Sequence, residues 1–311
     1  MTSRLPIIGH AHYLLFHGKV LQETFKRYSK NGLLALHIGT FRMTLIGNGK
    51  MLKEIFSNDE ANYKDPKLKR IFKKAWFPQG HARESGGLLM NDGKGWQEQR
   101  KFLVYALKEF SVGQNIEGLI NYEVEEFCRY IEKVGIPHKP PRQNENESWV
   151  NIFHIPTINI LWQIVAGERY DYDDSRLVDI AKKVEAITRV QIFQPNLATF
   201  LPILSKLFPS LETRQCYKAF LDIKTYTTEL AQKHWDTIDP GNIRDFIDKY
   251  IVRIQQEERE ESSFHPSKGV EELPLFLCEI FLAGMDTTSI TLQFAILYMA
   301  NNPDVQLKVR D

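Results

Sequence analysis

Three kinds of feature are scarce in this 311-residue sequence, and each scarcity argues against a class of protein. It has three cysteines, Cys128, Cys216 and Cys278, and their wide separation favours a reducing compartment over a disulfide framework. Its formal net charge is only +1, which argues against nucleic-acid binding as its main function. Long apolar runs are also rare, because a single segment comes close to the length of a membrane span.

That segment covers residues 273–299 and reads LPLFLCEIFLAGMDTTSITLQFAILYM. A multi-helix membrane protein needs several such runs, and Glu279 and Asp286 within this one would be costly in lipid. We therefore predict a buried helix through the middle of a large domain. Pro274 suits its first turn, where a missing N–H is no loss, and Asn301-Asn302-Pro303 is expected to end it.

A polar motif, Ala283-Gly284-Met285-Asp286-Thr287-Thr288, interrupts the run. Glycine in a helix interior costs roughly 1 kcal/mol against alanine, and a buried aspartate costs more unless it is paired. The Thr287 hydroxyl can bond the Ala283 carbonyl four residues earlier and open the helical ladder there. Asp286 beside it can carry protons from solvent into a site. The motif indicates a functional site, and the alternative is a bent core helix with solvated polar residues.

A second candidate group is Trp96 and Arg100, which share one helical face. An indole N–H beside a guanidinium makes a donor pair that suits a carboxylate, although a tryptophan at a helix edge with a solvated arginine is the simpler alternative. The glycine-rich and polar segment 76–95 is predicted to be a loop, and residues 96–311 are predicted to be mainly helical. Alternating apolar residues predict a β hairpin over 33–47.

These motifs together resemble those of the cytochromes P-450, the heme-thiolate monooxygenases. The 283–288 motif is similar to the A-G-x-[DE]-T-[TS] signature of their distal helix, and Trp96-x-x-x-Arg100 is similar to their propionate-binding helix. Residues 159–172 and 242–248 resemble stretches of animal microsomal members. The likeness covers essentially the whole chain. It implies a mainly α fold with a small N-terminal β hairpin, forming a single partial domain over 1–311 that ends just after the distal helix.

The resemblance also implies a role for each candidate residue. Asp286 would be the acid of a proton relay and Thr287 the oxygen-activating hydroxyl. The residues that would bind heme are Trp96, Arg100, Ala283 and Gly284. Leu89 and Met90 would line the substrate cavity, and Phe281 would face either that cavity or the packed core.

A heme-dependent monooxygenase of this kind inserts one oxygen atom from O2 into a small apolar organic substrate. The resemblance implies electrons from an NADPH-dependent reductase and a place on the cytosolic face of the endoplasmic reticulum membrane. The apolar region 193–211 would dip into the membrane surface, although an ordinary helix junction is the alternative there. No nucleic-acid partner is expected, and no amino-terminal anchor is expected within this chain before Leu5-Pro6.

The cysteine that ligates the heme iron is expected after Asp311, together with the E-x-x-R helix of the family. Cys278 lies nine residues before Thr287, which places the two on opposite sides of one helix and roughly 13 Å apart. It therefore cannot ligate iron across a porphyrin from Thr287, and no metal ligand is predicted within the chain. We expect a fragment that is inactive alone. The alternative is a non-catalytic, truncated helical protein that acts as an interaction module or is an inactive product.

Overall fold

Helices dominate the described part of the chain, which confirms the prediction of a mainly α fold with a small β hairpin. The computed structural model describes residues 5, 9–10, 20–38, 41–58, 87–89, 91–113, 116–135, 152–189 and 211–310. Met90 and most of the predicted 76–95 loop and 193–211 membrane region lie outside these residues. The chain groups into two compact units, residues 1–81 with 189–217 and residues 82–188 with 218–311. That it forms a single domain stays a prediction.

The first unit contains the predicted hairpin. Its described elements are α1 (Val20–Tyr28), β1 (Leu33–Ile38), β2 (Phe41–Ile46) and α2 (Gly49–Phe56). The two strands are antiparallel, with Leu33 opposite Ile46. Leu34 and Leu36 point to the same face because strand side chains alternate, and both are buried against Phe25 of α1. The Asn48 side chain begins α2 by accepting a hydrogen bond from the Lys50 N–H at 2.9 Å.

The second unit contains the candidate site. Its helices are α3 (Gly93–Gly113), α4 (Ile116–Val134), α5 (His154–Ala166), α6 (Ser175–Arg189), α7 (Leu211–Thr237), α8 (Phe246–Gln255), α9 (Pro266–Asn301) and α10 (Pro303–Arg310), of which α6 and α7 each have one end in the first unit. The first half of α9 forms the centre of the core, since every residue from 272 to 281 is buried. Phe276 stacks on Phe246 of α8 with ring centroids 5.9 Å apart.

The start of α9 corrects one prediction. The helix begins at Pro266, after the N-cap residue His265, so placing Pro274 in the first turn was wrong. Pro274 lacks the N–H that would bond to the carbonyl of Val270 in a regular helix, and Val270 is 44% exposed. The predicted end is confirmed, because the helix stops at Asn301.

The two halves of α9 differ in burial. Its second half exposes large apolar side chains, including Phe294 at 66% and Tyr298 at 60%. Among the described helices, α9 alone is long and apolar enough to cross a membrane by length and composition. Half of that apolar window is buried inside the protein.

Candidate functional site

The predicted bond within the polar motif is present. The Thr287 hydroxyl donates to the Ala283 carbonyl at 2.8 Å, and the Thr291 hydroxyl donates to the Thr287 carbonyl at 2.7 Å. These three residues are four apart, so they share one side of α9, and all three are exposed. Each hydroxyl has used its proton but keeps lone pairs that can accept a hydrogen bond. We call this surface, formed by Ala283, Thr287 and Thr291, the threonine stripe.

Gly284 lies off the threonine stripe and faces a neighbouring helix. A Cβ atom at this position would lie 2.1 Å from Cδ2 of Leu161 in α5. The contact that requires a glycine here is therefore the close approach of α5 to α9. The predicted approach of a cofactor to Gly284 stays a prediction.

Asp286 has a neighbour that the sequence did not indicate. Its Oδ1 atom lies 3.4 Å from Nε2 of His154, the first residue of α5. The imidazole is fully buried and neither of its nitrogens has a hydrogen-bond partner, while 13% of the Asp286 side chain is exposed. The acid of the motif therefore lies between solvent and a buried imidazole. No sequence signal marks His154, because its position beside Asp286 arises only from the packing of α5 on α9.

Trp96 and Arg100 lie together on α3, as their spacing predicted. Cζ of Arg100 is 5.5 Å from the centroid of the Trp96 ring, and Arg100 is exposed. The indole Nε1–H of Trp96 donates to the backbone carbonyl of Leu88 at 3.0 Å. The indole is thus engaged by the preceding segment, and the binding of a propionate by this pair stays a prediction.

The predicted substrate residues that can be described lie in different environments. Leu89 is 46% exposed, whereas Phe281 is fully buried. The Phe281 ring meets the Trp162 ring edge to face, with centroids 4.7 Å apart, and also contacts Tyr226. Of the two alternatives for Phe281, its contacts are therefore those of a packed core residue. Its role toward a substrate is untested.

The side chains of the threonine stripe suit contact with a flat apolar cofactor. The two cysteines whose side chains the structure describes lie elsewhere. The stripe presents only a methyl group and two threonine side chains whose hydroxyls bond to their own helix. Cys278 is fully buried in the core, where burial raises the pKa of its thiol, and Cys128 is exposed on α4. Neither of these two side chains lies on the stripe.

Three other ligand-type side chains form a buried cluster away from the motif. Ligand atoms of His234, Asp245 and Asp248 lie within 4.8 Å of one another. Both imidazole nitrogens of His234 face acceptors, the Leu230 carbonyl at 2.9 Å and Asp245 Oδ2 at 3.0 Å, so both must carry protons. The Arg244 guanidinium binds Asp248 through two nitrogens at 2.6 and 2.8 Å. These contacts make the cluster a set of paired charges, with no nitrogen lone pair left for a metal.

The charge of His234 follows from its partners. Burial lowers the pKa of this imidazole, but the hydrogen bond and the charge of Asp245 outweigh burial and raise the pKa above its ordinary value. Arg244 in turn holds the pKa of Asp248 below its usual range against the effect of burial.

Comparison with known proteins gives one consistent answer. The family model described as "Cytochrome P450" matches residues 1–311. Human "Cytochrome P450 2J2" is 28% identical over 99% of this chain and 58% of that protein. "Cytochrome P450 2B4" of Oryctolagus cuniculus is 31% identical over 72% of this chain and 44% of that protein. "Farnesoate epoxidase" of Bombyx mori is 24% identical, covering 98% of this chain and 59% of that protein. The chain thus spans less than two thirds of the length of these relatives.

Proposed function

The chain belongs to the cytochrome P450 family, and on that premise we propose that it supplies the oxygen side of a heme-dependent monooxygenase. The observation that carries this proposal is the Thr287 hydroxyl on the exposed threonine stripe, bonded at 2.8 Å to the Ala283 carbonyl and followed by Thr291. When bound, heme supplies the iron at which O2 is activated, so that one oxygen atom enters the substrate.

The protein's own groups have separate tasks in this proposal. The threonine stripe would lie against the cofactor. Arg100 would hold its propionate, and Trp96 would join it where its indole N–H leaves the Leu88 carbonyl. Thr287 accepts a hydrogen bond within the site, since its own proton is given to Ala283. Asp286 moves protons from solvent toward Thr287, which its partial exposure permits. The remaining residues with proposed contacts are Gly284 to heme and Leu89, Met90 and Phe281 to the substrate.

The proposed partners follow from the family. Electrons come from an NADPH-dependent reductase, and the substrate is a small apolar organic molecule. One relative is named for the epoxidation of farnesoate, whose largely hydrocarbon skeleton is of this type. The protein would act on the cytosolic face of the endoplasmic reticulum membrane, with region 193–211 at the membrane surface. Support for that location comes from the family resemblance.

We also propose that the thiolate ligand of the iron is not among the three cysteines of this chain. Cys278 is buried in the core and Cys128 is exposed on α4, both away from the threonine stripe. The 311-residue chain alone would then lack monooxygenase activity.

Titration of the chain with hemin, followed by absorbance and tryptophan fluorescence, tests the proposal. Ala283→Phe places a large ring on the threonine stripe and is expected to weaken hemin binding by about tenfold or more. Ala300→Phe is the matched control, because Ala300 is also an exposed alanine of α9 but points about 100° or more away from each residue of the threonine stripe. It is expected to leave the affinity unchanged.

Two results would contradict the proposal. Equal affinities of the two phenylalanine variants would show that hemin does not lie on the threonine stripe. After reduction and addition of CO, the hemin complex is expected to lack the red-shifted Soret band of thiolate ligation. A clear band of that kind would show that a cysteine of this chain reaches the iron.

A further inference from the structure

Three consecutive backbone amides before α3 converge on two carboxylates of α9. The Gly87 N–H donates to Glu272 Oε2 at 3.3 Å, and the Leu89 N–H donates to Glu279 Oε2 at 3.2 Å. The Leu88 N–H donates to the same oxygen of Glu279. The Leu88 carbonyl is bonded on its other side by the indole of Trp96. Segment 87–89 is therefore held between α9 and α3.

The fit around these carboxylates is close. Gly87 has a φ of +67°, and a Cβ atom there would lie 2.2 Å from Glu279 Oε1. Glu272 and Glu279 are only 6% and 8% exposed and lie seven residues apart on one side of α9. Two buried carboxylates of like charge are costly in a helix that is otherwise apolar here. Packing alone does not account for acids at these two positions.

We propose that Glu279, supported by Glu272, is a positioning residue that fixes segment 87–89 on α9 and thereby sets where Leu89 stands on the substrate side. The structural part of this inference rests on the contacts just described, and its consequence for substrate selection rests on the proposed function. Leu89 is the candidate substrate residue of this segment and is 46% exposed. Glu279 acts through the backbone of the segment and need not touch the substrate.

The protonation of Glu279 gives the contact a signature that packing alone lacks. Burial raises the pKa of Glu279 to about 7 from an ordinary value of 4.5, the Leu88 and Leu89 amides oppose this shift, and the Glu272 charge adds to it. The described segment presents backbone amides to Glu279, and α9 presents the Glu272 carboxylate. On α7, the Lys224 charge acts to lower the pKa of Cys278, the residue next to Glu279. A protonated carboxyl still has a carbonyl oxygen that accepts from an N–H.

The direction of the pH effect follows from linkage. When segment 87–89 detaches, Glu279 is exposed to water and regains an ordinary pKa near 4.5, whereas in the attached state its pKa is about 7. The attached state therefore keeps a proton that the detached state has lost between these pH values. Attachment is strongest below pH 4.5, weakens as pH rises toward 7 and is constant above that value.

Hydrogen–deuterium exchange of the full chain tests the proposal, with peptides covering Gly87–Leu89 corrected for intrinsic exchange rates. Glu279→Ala removes the acceptor and is expected to speed exchange of the Leu88 and Leu89 amides by about tenfold or more. Glu279→Gln keeps a neutral acceptor and is expected to restore protection. In the unmodified chain, protection is expected to fall by about tenfold or more as pH rises from 4.5 to 7, and in Glu279→Gln to stay constant. Glu271→Gln, an exposed acid on the same helix, is the matched control.

Gly87→Ala provides a second variant that leaves both carboxylates in place. Its Cβ atom would displace the segment from Glu279, and faster exchange confined to residues near 87–89 is expected. Unchanged exchange in Glu279→Ala, or the same pH profile in Glu279→Gln as in the unmodified chain, would overturn the proposal. These measurements need no heme, so failure of the hemin titration would refute the proposed function while leaving this result intact.

Discussion

Two buried histidines, His154 and His234, stand beside aspartates in this protein, and their surroundings differ in one respect. His234 is 4% exposed and uses both ring nitrogens, toward the Leu230 carbonyl and Asp245. His154 is fully buried and uses neither, with Asp286 at 3.4 Å, at ion-pair distance but without a hydrogen bond. Buried polar groups are usually bonded, so the exception calls for an explanation.

Location supplies that explanation. His234 joins the end of α7 to Asp245, the N-cap residue of α8, and its contacts hold two helices together. His154 instead lies beside the motif that carries Thr287. A fully bonded imidazole joins the elements around it, whereas the imidazole beside the motif acid has no hydrogen bond by which it would do so. The comparison therefore assigns a stabilising role to His234 and no such role to His154.

The largest effect is expected from His234→Leu. This change leaves the buried Asp245 carboxylate without its cationic partner, and breaking a buried ion pair in this way costs about 3–5 kcal/mol. Urea unfolding followed by circular dichroism measures the loss. His265→Leu is a useful control, because that partly exposed cap of α9 bonds to the N–H and the hydroxyl of Ser267, and losing a cap costs about 1 kcal/mol. Equal losses in the two variants would remove the structural role assigned to His234.

A pH-dependent effect of intermediate size is expected from the same histidine. The pKa of His234 is raised in the folded state by Asp245, with a further contribution from the Asp248 charge. The folded state therefore holds a proton that the unfolded state releases above its ordinary pKa of 6.5. The stabilisation is complete below pH 6.5 and is lost as pH rises through the raised pKa of the folded state.

The free energy of unfolding should be measured across this range for the unmodified chain and for His234→Leu. Their difference isolates the histidine, because the contribution of Glu279 is common to both proteins. The difference is expected to shrink as pH rises above 6.5. A difference that is constant with pH would mean that His234 is neutral in the folded protein.

Local spacing made part of this architecture predictable. The hairpin followed from alternating residues, and the bond from Thr287 to Ala283 followed from a separation of four residues on a helix. Both features depend only on neighbours in the chain. The end of α9 at Asn301 was predictable for the same reason, because Pro303 follows closely.

Long-range packing made the rest unpredictable. Glu279 meets amides that are 190 and 191 residues away, and no periodicity in the sequence reports such a contact. The sequence also gave no reason to connect His154 with Asp286, which belong to different helices. Pro274 misled because the rule for a first-turn proline holds equally for Pro266, and only the structure shows which of the two begins α9.

The smallest change in stability is expected from His154→Leu, and its smallness is the informative result. Leucine has a similar volume and lacks the two buried nitrogens that have no hydrogen-bond partner in this structure. Replacing an unsatisfied buried polar group by an apolar one is nearly neutral, so the free energy of unfolding should change by no more than about 1 kcal/mol.

The loss of the imidazole is not expected to leave Asp286 as a buried, unpaired charge, because its side chain is partly exposed to water. The same urea unfolding measurement used for His234→Leu therefore compares the two histidines directly. A loss for His154→Leu as large as that for His234→Leu would show that the imidazole contributes structure through bonds it forms in solution. A near-neutral change would show that the fold does not need this histidine, which leaves its position beside the motif acid as the property that distinguishes it.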